Sequence, residues 1–196
     1  SLLPLSGLQV KHYVLSFDSQ NVLIIVENYI TKVVTLNIYS VPSGDFIREI
    51  HVGRFRITEA FFAAKDKYIV LSTEFNKGED DVDMAVKVYK TESASLAYDL
   101  PDMHPKSTQP VVQGEKLIIA VQKSKRHEKD KVEQKWKLIV FDLEEGKITF
   151  TSNVIPDGKL KFGNIGRYGI DRYRWVYDFK KGAKSHHFDS EEVYQK

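Results

Sequence analysis

Apolar strand-length segments and polar turns alternate along this chain, and the alternation repeats about every 50 residues. Three segments share one pattern: a β-rich run that ends in an aromatic residue, a turn, and a second run. The aromatic residues are Tyr39, Tyr89 and Phe141, which lie 50 and 52 residues apart. Self-similarity with a period of about 20–50 residues is typical of repeat architectures.

A second landmark, a turn followed by a strongly apolar strand, lies upstream of each aromatic residue. Aligning Val22, Tyr68 and Leu117, with Tyr173 as a fourth copy, gives intervals of 46, 49 and 56 residues. The fourth copy, Ile170–Tyr177, is predicted to be a turn followed by one such strand. Two landmarks with similar periods therefore predict the same repeat.

Each period has room for four strands of ordinary length. In the second period, the pattern predicts strands near Ile57–Ala63, Tyr68–Glu74, Met84–Lys90 and Ser95–Leu100. The second of these is nearly continuously apolar, as expected for a strand buried on both faces. No stretch keeps apolar spacings of three and four over helical length, so we expect few helices.

The predicted fold class is all-β, with about four blades of four-stranded antiparallel sheets from a β-propeller. The blades are expected at 8–52, 53–101, 106–152 and 159–196. The last is expected to be unfinished, with His186–Lys196 as its third strand. We expect these blades to be part of a larger propeller, and the alternative is a closed four-bladed ring.

The repeats resemble those of WD-repeat proteins. The third strand ends in Val88-Tyr89 or Val140-Phe141, and a turn such as Ser43-Gly44 or Glu145-Gly146 precedes the fourth strand. The Gly-His and Trp-Asp dipeptides of a strict WD repeat are absent from every copy. This resemblance implies a non-enzymatic scaffold that recognises another protein.

The turn Phe141–Gly146, an aromatic-Asp-x-x-x-Gly sequence, resembles repeats of quinoprotein-like propellers. That resemblance implies the alternative function. In it, the chain is a fragment of a quinoprotein-like or hydrolytic enzyme propeller whose site lies in the central channel.

Composition narrows the classes of function. The 196 residues are 42% hydrophobic, which supports a packed core, and the net charge is only +2. The absence of cysteine excludes disulfides, thiolate catalysis and cysteine-ligated metals, and it fits a reducing compartment. No apolar run approaches a membrane span, and there is no glycosylation sequon or intact signal peptide, so we expect a cytoplasmic location. The missing initiator Met suggests a processed product or a fragment.

Two charged loops between second and third strands are the candidate partner-binding site. Asn76–Asp83 carries one positive and four negative charges, whereas Lys123–Lys135 has six Lys or Arg against three acidic residues. Opposite charges on neighbouring blades would orient a protein partner. The partner-binding residues are predicted to be Glu79, Asp80, Asp81, Asp83, Lys125, Arg126 and Lys129. The alternative is that both loops are solvated hairpin tips.

Other chemistries find less support in the sequence. The basic loop lacks interleaved aromatic residues, so nucleic acid is not the expected partner. The acidic loop lacks the spacing of a calcium loop, and adjacent His186 and His187 would point to opposite faces of a strand. We therefore predict no catalytic residue, cofactor or metal. The aromatic residues of Tyr173–Tyr177 are a second candidate surface.

Overall fold

The computed structural model describes residues 7–76, 82–101, 103, 111–122, 136–151, 160–162, 168–171, 175–178 and 183–187. All regular structure in these residues is β-strand, and none of them is helical. The chain divides into two compact units, Ser1–Asp102 and Met103–Lys196. Each unit contains two four-stranded antiparallel sheets.

The first unit holds the first and second sheets. The first sheet comprises β1 (Leu8–Leu15), β2 (Asn21–Asn28), β3 (Val34–Ser40) and β4 (Phe46–Gly53), and the second comprises β5 (Arg56–Ala63), β6 (Tyr68–Asn76), β7 (Val82–Lys90) and β8 (Leu96–Pro101).

The second unit holds the third and fourth sheets. The third comprises β9 (Val111–Gln113), β10 (Lys116–Gln122), β11 (Trp136–Asp142) and β12 (Lys147–Thr151), and the fourth comprises β13 (Leu160–Phe162), β14 (Tyr168–Asp171), β15 (Trp175–Asp178) and β16 (Ala183–His187).

Every sheet is a simple meander in which each strand pairs with its neighbour in sequence. The four sheets also share a bulge between their third and fourth strands. It lies at Ile38/Tyr39, Val88/Tyr89, Val140/Phe141 and Val176/Tyr177. The bulge therefore marks the aromatic landmark in the three expected copies and identifies Tyr177 as the fourth. The all-β fold class with four-stranded antiparallel sheets is confirmed.

The fourth sheet differs from the unfinished blade that was expected, because it has four strands. The predicted copy over Ile170–Tyr177, a turn followed by one strand, instead contains parts of two strands, β14 and β15, and Ile170 pairs with Val176. The equivalent of Val22 is therefore Gly169, which pairs with Tyr177 as Val22 pairs with Tyr39. The sequence between these two strands has no glycine or proline to mark a break, and apolar and aromatic residues lie on both sides of it, so the pattern resembled that of one strand.

The alignment of the second sheet also shifts by one residue. Val22 pairs with Tyr39, and Ile69 pairs with Tyr89, so Ile69 rather than Tyr68 is the equivalent of Val22. With this register, Ile24 of the first sheet corresponds to Leu71 of the second.

The core of the first unit lies between its two sheets. One face of the first sheet contributes aliphatic side chains that alternate along the strands, such as Leu23, Leu36 and Ile38. They pack with Ile69 and Leu71 of the second sheet. All five side chains are at most 1% exposed. This burial of alternate residues is the period of two that a strand imposes.

The opposite face of the first sheet is apolar but exposed. The bulge between Val10 and His12 brings Leu8, Val10, Tyr13 and Leu15 onto this face. Val10 is 62% and Tyr13 69% exposed. By register, this surface is equivalent to the face of the second sheet that packs on the first. The first sheet therefore presents a packing face to solvent.

Each of the first three sheets joins two of its turns by one hydrogen bond. The backbone N–H groups of Val41, Thr91 and Leu143 donate to the carbonyls of Gln20, Lys67 and Glu115, at 2.7, 2.9 and 2.7 Å. Each donor lies two residues after the aromatic landmark. These bonds fasten the turn between the third and fourth strands to the turn between the first and second.

Candidate functional site: a cationic cleft in the first unit

Most of the predicted partner-binding residues lie outside the described residues. This holds for Glu79, Asp80, Asp81, Lys125, Arg126 and Lys129. Asp83 lies in β7, where its backbone pairs with that of Phe75. The two-loop site therefore stays a prediction, and the structure adds a cleft next to one of its residues.

A cleft of about 680 Å³ opens between the first and second sheets of the first unit. It lies at the end of the sheets where β2 turns into β3 and where β4 connects to β5. Its lining residues are Lys11, Ile25, Glu27, Lys32, Val34, Arg54, Phe55, Arg56, Ile57, Glu74 and Phe75. The volume lies within the range of about 300–1,000 Å³ that is usual for small-ligand sites.

The connection from β4 to β5 supplies one wall of the cleft. Gly53 has a φ of +103°, which a residue with a side chain rarely adopts. A Cβ on Gly53 would also lie 3.4 Å from the Phe55 ring. Glycine therefore allows the sharp change of direction after β4. Arg54 and Arg56, on either side of Phe55, are both exposed.

The short turn between β2 and β3 supplies a second wall. The side-chain oxygen of Asn28 accepts hydrogen bonds from the backbone N–H groups of Ile30 and Thr31, both at 3.0 Å. The N–H of Lys32, which has a φ of 60°, donates to the Asn28 carbonyl at 2.7 Å. Asparagine is suited to such turns because its side chain mimics a backbone acceptor. The turn thereby fixes Lys32 at the cleft.

Glu27 is shared between two lysines of the cleft. Its carboxylate lies 2.8 Å from the Lys11 ammonium and 3.8 Å from that of Lys32. The hydrogen bond from Lys11 lowers the pKa of Glu27 below its ordinary value and outweighs the opposing effect of burial. Lys11 is the extra residue of the β1 bulge, and a bulge redirects the side chain that it carries.

Two phenylalanines form the apolar part of the cleft. The rings of Phe55 and Phe75 are tilted, with centroids 5.6 Å apart. The Lys87 ammonium lies 5.0 Å from the Phe55 ring centroid and pairs with Asp99 at 2.6 Å. Phe55 is half-buried, whereas Phe75 is 38% exposed. The Lys87 contact and core packing hold Phe55 in place, and Phe75 remains accessible from solvent.

Positive charge exceeds negative charge around the cleft. Four cationic side chains face two carboxylates, those of Glu27 and Glu74. Arg56 contacts Glu74 through one nitrogen at 3.4 Å. Arg54 makes no ion pair with any residue that the structure describes. The arrangement can therefore accept anionic groups beside an apolar side chain.

Sequence analysis missed this cleft because its residues come from five separate segments. The available signal was Arg54-Phe55-Arg56, a basic and aromatic alternation directly after a glycine. Its meaning depends on Lys11 and Lys32, which only the packing of the two sheets brings close.

The described residues hold neither a cluster of metal-ligating side chains nor a membrane-spanning helix. Across them, no three His, Asp or Glu side chains cluster closely enough to hold a metal ion. The same part of the chain contains no helix long and apolar enough to cross a membrane.

Comparisons with known proteins relate the chain to solved propeller structures. No family model and no curated protein matches it. It superposes on the β-propeller domain of the Trilobed protease from Pyrococcus furiosus with a TM-score of 0.58 and 13% identity, covering 87% of this chain and 54% of that one. For the acylaminoacyl peptidase of Pyrococcus horikoshii, the TM-score is 0.59 and the identity is 9%, and the match covers 90% of this chain and 31% of that one.

A third similar structure is the hydrazine synthase of Kuenenia stuttgartiensis, with a TM-score of 0.55, 12% identity and coverage of 91% of this chain and 59% of that one. At such low identity, these likenesses show the fold alone, which is that of β-propeller blades. The chain spans between about a third and three fifths of the lengths of these three proteins. WD-repeat membership stays a prediction.

Proposed function

We propose that this chain is a non-enzymatic protein-interaction module, and that it binds its partner at the end of the first unit where the cationic cleft opens. The observation that carries the proposal is the cleft itself. Arg54 has no ion-pair partner among the described residues, and the exposed ring of Phe75 lies within the same cavity. Arginine and aromatic side chains are the residues in which binding energy at protein interfaces concentrates.

The charged loops belong to the same proposal. Asp83 pairs through the backbone with Phe75, which lines the cleft, and the acidic segment Asn76–Asp83 directly follows Phe75 in the sequence. In this scheme, Glu79, Asp80, Asp81 and Asp83 attract basic groups of the partner, and Lys125, Arg126 and Lys129 attract acidic ones. The proposed setting is cytoplasmic, in keeping with a sequence that has no cysteine.

The test is a comparison of partners captured from a lysate with the wild-type chain and with two variants. One variant reverses the charge of Lys125, Arg126 and Lys129, and the other replaces Arg54 and Phe75 with Gln and Ala. Surface charge substitutions usually change the free energy of unfolding by under about 0.5 kcal/mol, whereas Phe75→Ala also removes a ring that packs on Phe55. Thermal unfolding therefore has to show first that both variants fold. We expect one set of proteins to be retained by the wild type and lost by a variant. Identical capture by all three chains would contradict the proposal.

The second candidate function is that of a blade segment within a larger enzyme. It is favoured by the comparisons, in which two of the three structures described above come from a protease and a peptidase. A peptidyl chloromethyl ketone, of the kind named for another acylaminoacyl peptidase structure with a TM-score of 0.59 and 10% identity, distinguishes the two when it is applied to the full-length protein that contains this segment. We expect no covalent adduct by intact mass. A stoichiometric adduct would favour the enzyme and overturn the non-enzymatic proposal.

A further inference from the structure

We propose that the cationic cleft binds a short acidic peptide segment that carries an apolar side chain between its carboxylates. This inference rests on the proposed function and names the ligand class for that site. Three features of the cleft favour this occupant: the charge of its lining residues, the aromatic surface of Phe55 and Phe75, and its volume.

Charge selects an acidic ligand. Glu27 already has a short ion pair with Lys11 at 2.8 Å, so Lys32, at 3.8 Å, is only weakly engaged by it. Arg56 is 79% exposed and keeps a single 3.4 Å contact to Glu74. Together with Arg54, three cations can therefore turn toward a ligand. Arginine binds carboxylates with paired hydrogen bonds that fix their orientation.

The aromatic surface selects a peptide over a simple anion. Phe75 and Phe55 line the same cleft as the cations and offer apolar area that a small inorganic ion would leave uncovered. A peptide with alternating acidic and apolar side chains places carboxylates on Arg54 and Lys32 and an apolar group on Phe75. A volume of about 680 Å³ accommodates a few such residues.

Nucleic acid fits the same cleft less well. Its phosphates would meet the carboxylates of Glu27 and Glu74 within the cleft. Protein surfaces that bind nucleic acid gain most of their affinity from uninterrupted positive charge. An acidic peptide needs only the few cations that the cleft provides.

The experiment measures fluorescence anisotropy of labelled probes with the wild-type chain at low and high salt. The probe is an eight-residue peptide of alternating glutamate and phenylalanine. There are two control probes. One is the same peptide with every glutamate replaced by glutamine, and the other is a single-stranded oligonucleotide. We expect binding of the glutamate peptide that weakens as salt is raised, and at least tenfold weaker binding of the glutamine peptide.

Three variants assign the binding to the cleft. Replacing Arg54 and Arg56 with Gln should weaken binding of the glutamate peptide about tenfold or more, as expected when charged hydrogen bonds are lost. The matched control replaces two exposed cations far from the cleft lining, Lys65 and Lys90, and should leave affinity within about twofold. Phe75→Ala should weaken binding with an unchanged salt dependence.

The outcomes separate this inference from the function on which it rests. Equal loss in the Arg54/Arg56 variant and in the Lys65/Lys90 control would overturn the cleft assignment. Oligonucleotide binding as tight as peptide binding, with the same dependence on Arg54, would overturn the ligand class in favour of nucleic acid. If a captured partner is lost from the loop variant but retained when Arg54 and Arg56 are replaced, the proposed function stands and this inference fails.

Discussion

Left-handed backbone conformations occur at matching positions in the turns of this chain, and glycine occupies only some of them. Gly44, Ala94 and Gly146 each lie five residues after the aromatic landmark, with φ values of 72°, 57° and 67°. Each donates its N–H to the carbonyl four residues earlier, at 2.9 to 3.0 Å. The geometry is thus conserved among the three turns, while the side chain differs.

We expect Gly44→Ala to lower the free energy of unfolding by about 1 kcal/mol, because an alanine strains the backbone at this φ. No heavy atom lies within 4 Å of the position a Cβ would take, so steric contact adds nothing. Ala94→Gly is the reciprocal variant and relieves strain at an equivalent turn. Urea unfolding of both variants checks this. An unchanged free energy of unfolding in Gly44→Ala would show that the left-handed turn is not maintained.

Glu27 makes stability depend on pH. Its pKa is lowered in the folded chain from an ordinary value of 4.5. The contribution of its ion pairs is therefore full above that value and is lost as pH falls through the lowered folded pKa. Glu27→Gln should reduce stability at pH 7 by at most about 1 kcal/mol. The difference between wild type and variant should shrink as pH is lowered below 4.5, as measured by thermal unfolding, and a difference that does not change with pH would contradict an ionic origin.

Strands that are equivalent in sequence are not equivalent in burial. Ile24 and Leu71 occupy the same register position of the first and second sheets, yet Leu71 is fully buried and Ile24 is half-buried. Leu71→Ala should lower the free energy of unfolding by about 3 kcal/mol, since it leaves a cavity. Ile24→Ala should cost less than half as much. Similar losses for the two, measured in urea, would indicate that the exposed face is covered in solution.

The elements predicted from sequence were those whose signals are local. The strands around Tyr39, Tyr89 and Phe141 follow directly from alternation and turn residues. The strands of the fourth sheet were predicted wrongly because short strands carry little periodicity. The sequence nevertheless held a signal, since Tyr177-Asp178 followed by Gly182 repeats the pattern of Phe141-Asp142 and Gly146. The cleft could not be predicted, because it depends on how two sheets pack.

At the scale of the whole chain, the fold follows from repetition while the function does not. Each meander closes through local contacts, and the structural neighbours show that the same fold serves a protease domain, a peptidase and a hydrazine synthase. Within the described residues, the proposed function rests on the side chains of the cationic cleft. Its function therefore has to be tested at that cleft and at the two charged loops.

The bonds that join turns within each sheet have a kinetic consequence. The amides of Val41, Thr91 and Leu143 lie in turns, where exchange with solvent deuterium is ordinarily fast. Because each of these N–H groups donates to a carbonyl of another turn, its proton can exchange only when the two turns separate. We expect these three amides to exchange at least tenfold more slowly than that of the neighbouring Ser43 in native-state hydrogen exchange. Fast exchange at Val41 and Thr91 would show that the ends of the first two sheets open independently of their cores.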